Sequence, residues 1–264
     1  MKIIDTHAHI FPEKIASAAV SNVGGFYSID PMAHKGTSED LLEAGGRIGT
    51  SKYLVFSTAT TPKQVESIHN FIMSECEKHP EFVGAGTMHK DYENFEAEIN
   101  RIKAAGMKGI KLHPDLQKFA IDDEKMMPVY EVLESLGMFV ITHAGDPRYN
   151  YSHPSQVARV ASAFPKMPII AAHMGGWGMW DDARERLPRF ENVFVDTCST
   201  YSFAEAETLR KSINAFDSEK IFFATDYPMW DPESELEKIL SLGLPEALLE
   251  KILSKNFERF YASI

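Results

Sequence analysis

His7 and His9 stand one residue apart at the end of the apolar run Ile3-Ile4-Asp5-Thr6. Side chains alternate along an extended strand, so Asp5, His7 and His9 share a face and two imidazoles lie side by side. Such a pair offers nitrogen ligands to a borderline divalent cation. A His-x-His pair alone is weak, because paired surface histidines are common. Here the same chemistry closes later apolar runs: Lys111 and His113, then His143, His173 and Asp226. Three histidines and a carboxylate can hold Zn2+ or a similar ion and leave room for water or substrate. Taken singly, His143 reads as a hydrogen-bonded core or surface residue, and Asp226 as a turn or cap residue. In a chain with only ten histidines, the joint pattern points to metal-dependent catalysis.

These groups need a frame that gathers the ends of distant runs. Short β-rich segments occur at Ile3–Ile10, Tyr53–Ser57, Phe82–Met88, Gly109–His113, Phe139–His143, Ile169–His173, Val193–Asp196 and Ile221–Asp226. Most are apolar on both faces, as strands of a doubly covered parallel sheet must be. Helical signals lie between them. Thr61-Pro62-Lys63-Gln64 supplies a cap, a first-turn proline and a capping-box glutamine ahead of Val65, Ile68, Ile72 and Cys76. Phe95, Ile99 and Ile102 share a helical face ended by Gly106, and Lys125–Leu136 ends in Gly137. Eight β-then-α units predict an α/β fold, a (β/α)8 TIM barrel formed by residues 1–264 as one domain, with its chemistry at the C-terminal ends of the strands. An open doubly wound sheet is the competing frame, but it usually carries a glycine-rich phosphate loop after its first strand, where this chain has histidines. The long Phe11–Thr37 stretch reads as an irregular flap over the barrel mouth, or as a plain surface insertion.

A length of 264 residues is ample for a sizeable core. The net charge of −11 argues against nucleic acid and anionic membranes as partners. Two cysteines far apart, Cys76 and Cys198, imply no disulfide framework and suggest a reducing compartment. The opening segment, one Lys and then a strand with the proposed ligands, is not expected to be a signal peptide, and no apolar run approaches a membrane span. A soluble cytoplasmic protein acting on a small molecule is expected, and a homodimer is compatible with such a chain.

Five segments carry a family resemblance: Asp5-Thr6-His7-Ala8-His9, Lys108-Gly109-Ile110-Lys111-Leu112-His113-Pro114, Ile141-Thr142-His143-Ala144-Gly145, Ala172-His173-Met174-Gly175-Gly176 and Ala224-Thr225-Asp226-Tyr227-Pro228. Together with the terminal Asn256-Phe257-Glu258-Arg259-Phe260-Tyr261, they resemble the amidohydrolase superfamily, in particular its amidohydrolase-related branch of metal-dependent TIM-barrel hydrolases. The resemblance implies that His7, His9, His143 and Asp226 ligate one divalent metal ion, Zn2+ or else Mn2+. It further implies that Asp226 shuttles the proton of an activated water and that His173 steadies an oxyanion or orients the nucleophile. Lys111 is similar to the carbamylated lysine of dinuclear members, where His173 would serve a second ion; alternatively it stays an ammonium that pairs with Asp226 or a substrate carboxylate. The branch includes hydrolases of amides and lactones beside non-oxidative decarboxylases, so both chemistries stand, with hydrolysis of a small amide, lactone or ester leading. A TatD-like deoxyribonuclease also opens with His-x-His, but the run Phe82–Met88 lacks the metal-binding glutamate of that family.

Around the expected mouth, Arg148 is a candidate clamp for a substrate anion, or else a loop ion pair, and His113 is a second candidate substrate contact. Trp177, Trp180 and Trp230 are expected to wall the pocket or cover core. Asp5, deeper on its strand, is expected to orient the histidines. Cys198 has no base beside it in sequence, which speaks against a nucleophilic role.

Overall fold

The computed structural model describes residues 1–264. Its strands are β1 (Ile3–His9), β2 (Thr50–Phe56), β3 (Phe82–Gly84), β4 (Gly86–Thr87), β5 (Gly109–Leu112), β6 (Phe139–Thr142), β7 (Ile169–Ala171), β8 (Val193–Asp196) and β9 (Ile221–Phe222). All ladders are parallel and follow chain order, in one set from β1 to β3 and another from β4 to β9. β3 and β4 are halves of the single strand expected over Phe82–Met88. The break falls at Ala85, whose amide donates to the Val55 carbonyl at 3.0 Å and so keeps the ring continuous. Glycines flank it because helices press close: a Cβ on Gly84 would meet Ile72 Cγ2 at 2.8 Å, and one on Gly86 would meet Ile102 Cδ1 at 2.7 Å. The ring closes where Thr6 N donates to Phe223 O at 3.1 Å and His9 N to Tyr227 O at 2.8 Å. With helices between successive strands, the fold is a TIM barrel.

Local chemistry sets the helices. Gln64 Oε1 accepts the Thr61 amide at 2.9 Å, and helix Val65–Lys78 follows with Val65, His69 and Ile72 buried. Helix Phe95–Ala104 buries Ile99 and Ile102, and Gly106 at φ +93° turns the chain back toward β5. The helix expected from Lys125 begins at Met127 instead, because Pro128 belongs in a first turn, and a short 3-10 turn precedes it. No helix is long and apolar enough to cross a membrane.

The segment Phe11–Thr37 departs most from expectation. It is not irregular: it holds α1 (Glu13–Tyr27), fifteen residues long. The buried side of α1 is made of Ala16, Val20 and Gly24, and a Cβ on Gly24 would stand 2.5 Å from the Ile29 carbonyl. Close packing has selected small residues there, and small residues resemble loop composition.

Inside the ring, Ile4, Leu54, Phe56, Phe139, Ile141, Ile170 and Phe222 form one core with Phe257 and Phe260 of the C-terminal helix Asn256–Ser263. The Phe260 ring lies 4.7 Å from Phe194, 5.3 Å from Phe222 and 5.5 Å from Phe139. This helix plugs the end where the strands begin. The other end is left for chemistry.

Candidate active site

His7 and His9 bring their Nε2 atoms to 3.3 Å of each other. Asp226 Oδ1 stands 3.4 Å from the first and 3.7 Å from the second. Ligands bound at ~2.0–2.1 Å around a tetrahedral ion sit about 3.3–3.4 Å apart, so the triangle has the size of one ion's coordination edge. The three atoms are two uncharged imidazole nitrogens and a carboxylate oxygen, a donor set that fits a divalent cation. An ion held there would supply Lewis acidity to water and to a carbonyl oxygen.

Two of the three corners are held from behind. His7 Nδ1 donates to Asp196 Oδ2 at 2.9 Å, which leaves the Nε2 lone pair free to face the triangle. Asp196 Oδ1 accepts the His173 amide at 2.8 Å, so one buried carboxylate positions two histidines. Asp5 accepts the amides of His7 and Thr225 at 3.1 and 3.0 Å and the Thr225 hydroxyl at 2.5 Å, tying β1 to the loop that carries Asp226. Ser199 Oγ donates to Asp226 Oδ2 at 2.5 Å and accepts the Trp230 indole N–H at 2.9 Å. One oxygen of Asp226 is thereby anchored, and the other faces the histidines.

His143 reaches this group through His173: its Nδ1 lies 2.9 Å from His173 Nε2. Its own Nε2 is buried without a partner, 3.8 Å from Asp115 Oδ2. The His113 ring stacks on His143 at 4.2 Å, tilted by only 6°. Tyr27, at the end of α1, lays its hydroxyl 2.8 Å from His113 Nε2, so the helix covers the mouth. Burial, and then the charge of Lys111, holds His7, His9 and His113 well below the usual imidazole range; burial and His113 do the same for His143. All four are neutral ligands or hydrogen-bonding groups at physiological pH.

Lys111 is fully buried, with Nζ 2.9 Å from His7 Nε2 and 4.9 Å above the Phe56 ring. Burial draws its pKa down to about 8 against the pull of Asp226 and Asp196. An ammonium there and a metal ion would compete for the same lone pair of His7. Thr87 Oγ1 donates to the Lys111 carbonyl at 3.0 Å and fixes this strand in register.

β7 and β9, unlike β1 and β5, stop short of the site residues that follow them. His173, Ser199 and Asp226 adopt φ of 60°, 55° and 57°, in the left-handed region that an extended strand cannot contain. The runs expected to reach His173 and Asp226 end at Ala171 and Phe222, and neither could have extended through those two residues. Non-glycine residues held in this way cost free energy and cluster at functional sites.

Arg148 does not line the chamber. Its guanidinium grips Asp146 in two-point fashion (Nε–Oδ1 3.0 Å, Nη2–Oδ2 2.8 Å) and donates to the Phe26 carbonyl at 2.8 Å. It lies 4.7 Å from the Phe26 ring and 5.3 Å from those of Tyr27, Tyr149 and Trp177. The loop ion pair is the arrangement found, extended into a clasp on the end of α1. The tryptophans also stand behind the chamber: the Trp180 indole donates to His173 O at 3.1 Å, and Trp177 packs on Tyr27 and Phe203. Cys198, without a base nearby in sequence, has His173 Nδ1 3.3 Å from its sulfur in the fold. Burial and two carboxylates push its pKa well up, so it remains a thiol.

The chamber holds about 420 Å³ and is lined by His7, His9, Lys111, His113, His143, His173 and Asp226, with α1 as one wall. Across residues 4–262 the chain matches the family model described as amidohydrolase (Amidohydro_2). The protein belongs to the amidohydrolase family. Solved structures of this fold with low sequence identity include an uncharacterised TIM-barrel protein from Bordetella bronchiseptica (TM-score 0.81, 19% identity, 99% of both chains covered). A dihydroxybenzoic acid decarboxylase from Polaromonas, with bound manganese, gives a TM-score of 0.76 at 15% identity over 99% of this chain and 97% of the other. A candidate 2-pyrone-4,6-dicarboxylic acid hydrolase from Pseudomonas putida gives 0.71 at 16% identity over 99% and 97%. No curated protein matches the chain.

Proposed function

We propose that this amidohydrolase cleaves a small ester, lactone or amide with water, using one divalent ion, zinc or manganese, held by His7, His9, His143 and Asp226. The reading rests on Asp226: one oxygen is anchored by Ser199 and the other stands 3.4 and 3.7 Å from the two histidine nitrogens. A carboxylate oxygen so placed is the group to take a proton from an attacking water and return it to the leaving oxygen or nitrogen. His173, whose Nε2 meets His143 Nδ1 at 2.9 Å, would turn that nitrogen to the water or the developing oxyanion once His143 serves as a ligand. His113 accepts the Leu116 amide at Nδ1 and meets the Tyr27 hydroxyl at Nε2, so it orients that hydroxyl, which lines the chamber, toward the far side of the substrate.

Lys111 supports a second reading, non-oxidative decarboxylation, because a buried ammonium in the chamber could pair with a substrate carboxylate. One experiment separates the two. Protein loaded with zinc or with manganese is offered lactones, alkyl amides and aromatic acids, while hydrolysis and CO2 release are followed. Hydrolysis lost about 10²–10⁴-fold in Asp226→Asn, with metal content much less affected, is the expected result. CO2 release without any hydrolysis would replace the first reading by the second.

A further inference from the structure

One face of α1 forms a track into the chamber. Ile15, Ala19, Val23 and Tyr27 recur every four residues, and all four line the chamber. Side chains at that spacing lie one above the other on a helix. The track starts at Ile15, a large apolar side chain left 52% exposed, and ends at the Tyr27 hydroxyl 2.8 Å from His113. Ile68 and Phe71, from helix Val65–Lys78, form the facing wall. An exposed isoleucine at the mouth of an apolar passage leading to a catalytic centre has an obvious use, which is to receive an apolar substituent.

The charges agree. Lys111 is the only lysine or arginine on the chamber wall, Asp226 is the only carboxylate, and both belong to the centre itself. The remaining polar lining is neutral, including Thr58, Thr60, Gln64 and Ser67. Gln64 Oε1 is already occupied by Thr60 and Thr61, and Thr58 Oγ1 is buried without a partner. Arg148, the cation that could have met a second anionic group, is spent on Asp146.

We infer that the substrate is uncharged away from its scissile group and carries an unbranched or aryl apolar tail, which lies between the Ile15–Ala19–Val23 stripe and Ile68–Phe71. A dianionic substrate would leave one anion without a cationic side chain on this wall. This inference deepens the hydrolase reading and rests on it for the scissile bond. The tail site itself stands on the wall residues alone.

The test measures binding apart from turnover. Metal-loaded protein is titrated calorimetrically with straight-chain amides from propanamide to hexanamide, and with the monoamide of adipic acid, which ends in a carboxylate. Each buried methylene should tighten binding about fourfold, following ~0.8 kcal/mol per CH2, and the carboxylate-ended compound should bind more weakly than hexanamide. Ala19→Trp, which fills the passage, should flatten the series, as should Ile68→Gln on the facing wall. A flat series in the unaltered protein, or equal binding of the carboxylate-ended compound, overturns the inference whether or not either variant folds. Hydrolysis of γ-lactones with lengthening side chains is read in parallel. A steep binding series without turnover would remove the hydrolase reading alone, and turnover with a flat series would remove the tail site alone.

Discussion

His7 Nδ1 lies 2.9 Å from Asp196 Oδ2, and both side chains are fully enclosed. The carboxylate fixes the tautomer and the ring plane of the imidazole, while its other oxygen holds the His173 amide. A partner behind a ligand tunes affinity without touching the ion.

Asp196→Asn should therefore lower affinity for zinc or manganese by about 10–100-fold, measured by competition with a chelator. The amide can still accept from one side, so the fold should survive as judged by circular dichroism. Unchanged affinity would mean that His7 is held by packing against Phe56 rather than by the carboxylate.

Removing Arg148 should loosen α1 and leave the centre intact. Arg148→Met loses the bond to the Phe26 carbonyl and both bonds to Asp146. Amide exchange in the last turns of α1 should accelerate, and KM should rise similarly for neutral and anionic substrates. A loss confined to anionic substrates would restore the anion-clamp role suggested by the sequence.

The buried pair His69–Glu98 gives the stability an acid limb. His69 Nδ1 is 2.5 Å from Glu98, and Arg101 Nε donates to the same carboxylate at 2.8 Å. Burial depresses the His69 pKa against the pull of Glu98, so stability falls as pH drops below the unfolded value of 6.5. Burial pushes Glu98 up, but bonds from Arg101 and His69 outweigh it and the net shift is downward; its contribution is present above 4.5 and lost as pH falls through the folded value. Both signs agree. The melting temperature of the unaltered protein should therefore drop more steeply between roughly pH 6.5 and 4 than that of the His69→Leu, Glu98→Leu double variant. Parallel curves would show that other groups govern the acid limb.

What the sequence could disclose followed from local pattern. The meeting of His7, His9, His143, His173 and Asp226 in one chamber was legible because they stand at the ends of apolar runs, and strand ends converge in a barrel. Asp196 closes such a run too, yet its role depends on a partner 189 positions away, which no local pattern reports. Tyr27 was hidden for another reason: its helix is built from alanine, serine and glycine, so the apolar period that marks a helix is faint. The two-point grip of Arg148 on Asp146 spans only two residues, but rotamers decide between that partner and a substrate, and spacing does not encode rotamers.

The left-handed backbone at His173, Ser199 and Asp226 sets the interests of folding and catalysis against each other. Glycine would relieve roughly 1 kcal/mol or more of backbone strain at each position, but only by deleting the working side chain and its hydrogen bonds. A lineage or a design effort that took that relief would arrive at a silent barrel. Lasting gains in robustness must come from the far end of the barrel, where the C-terminal helix seals the ring and no residue serves two masters.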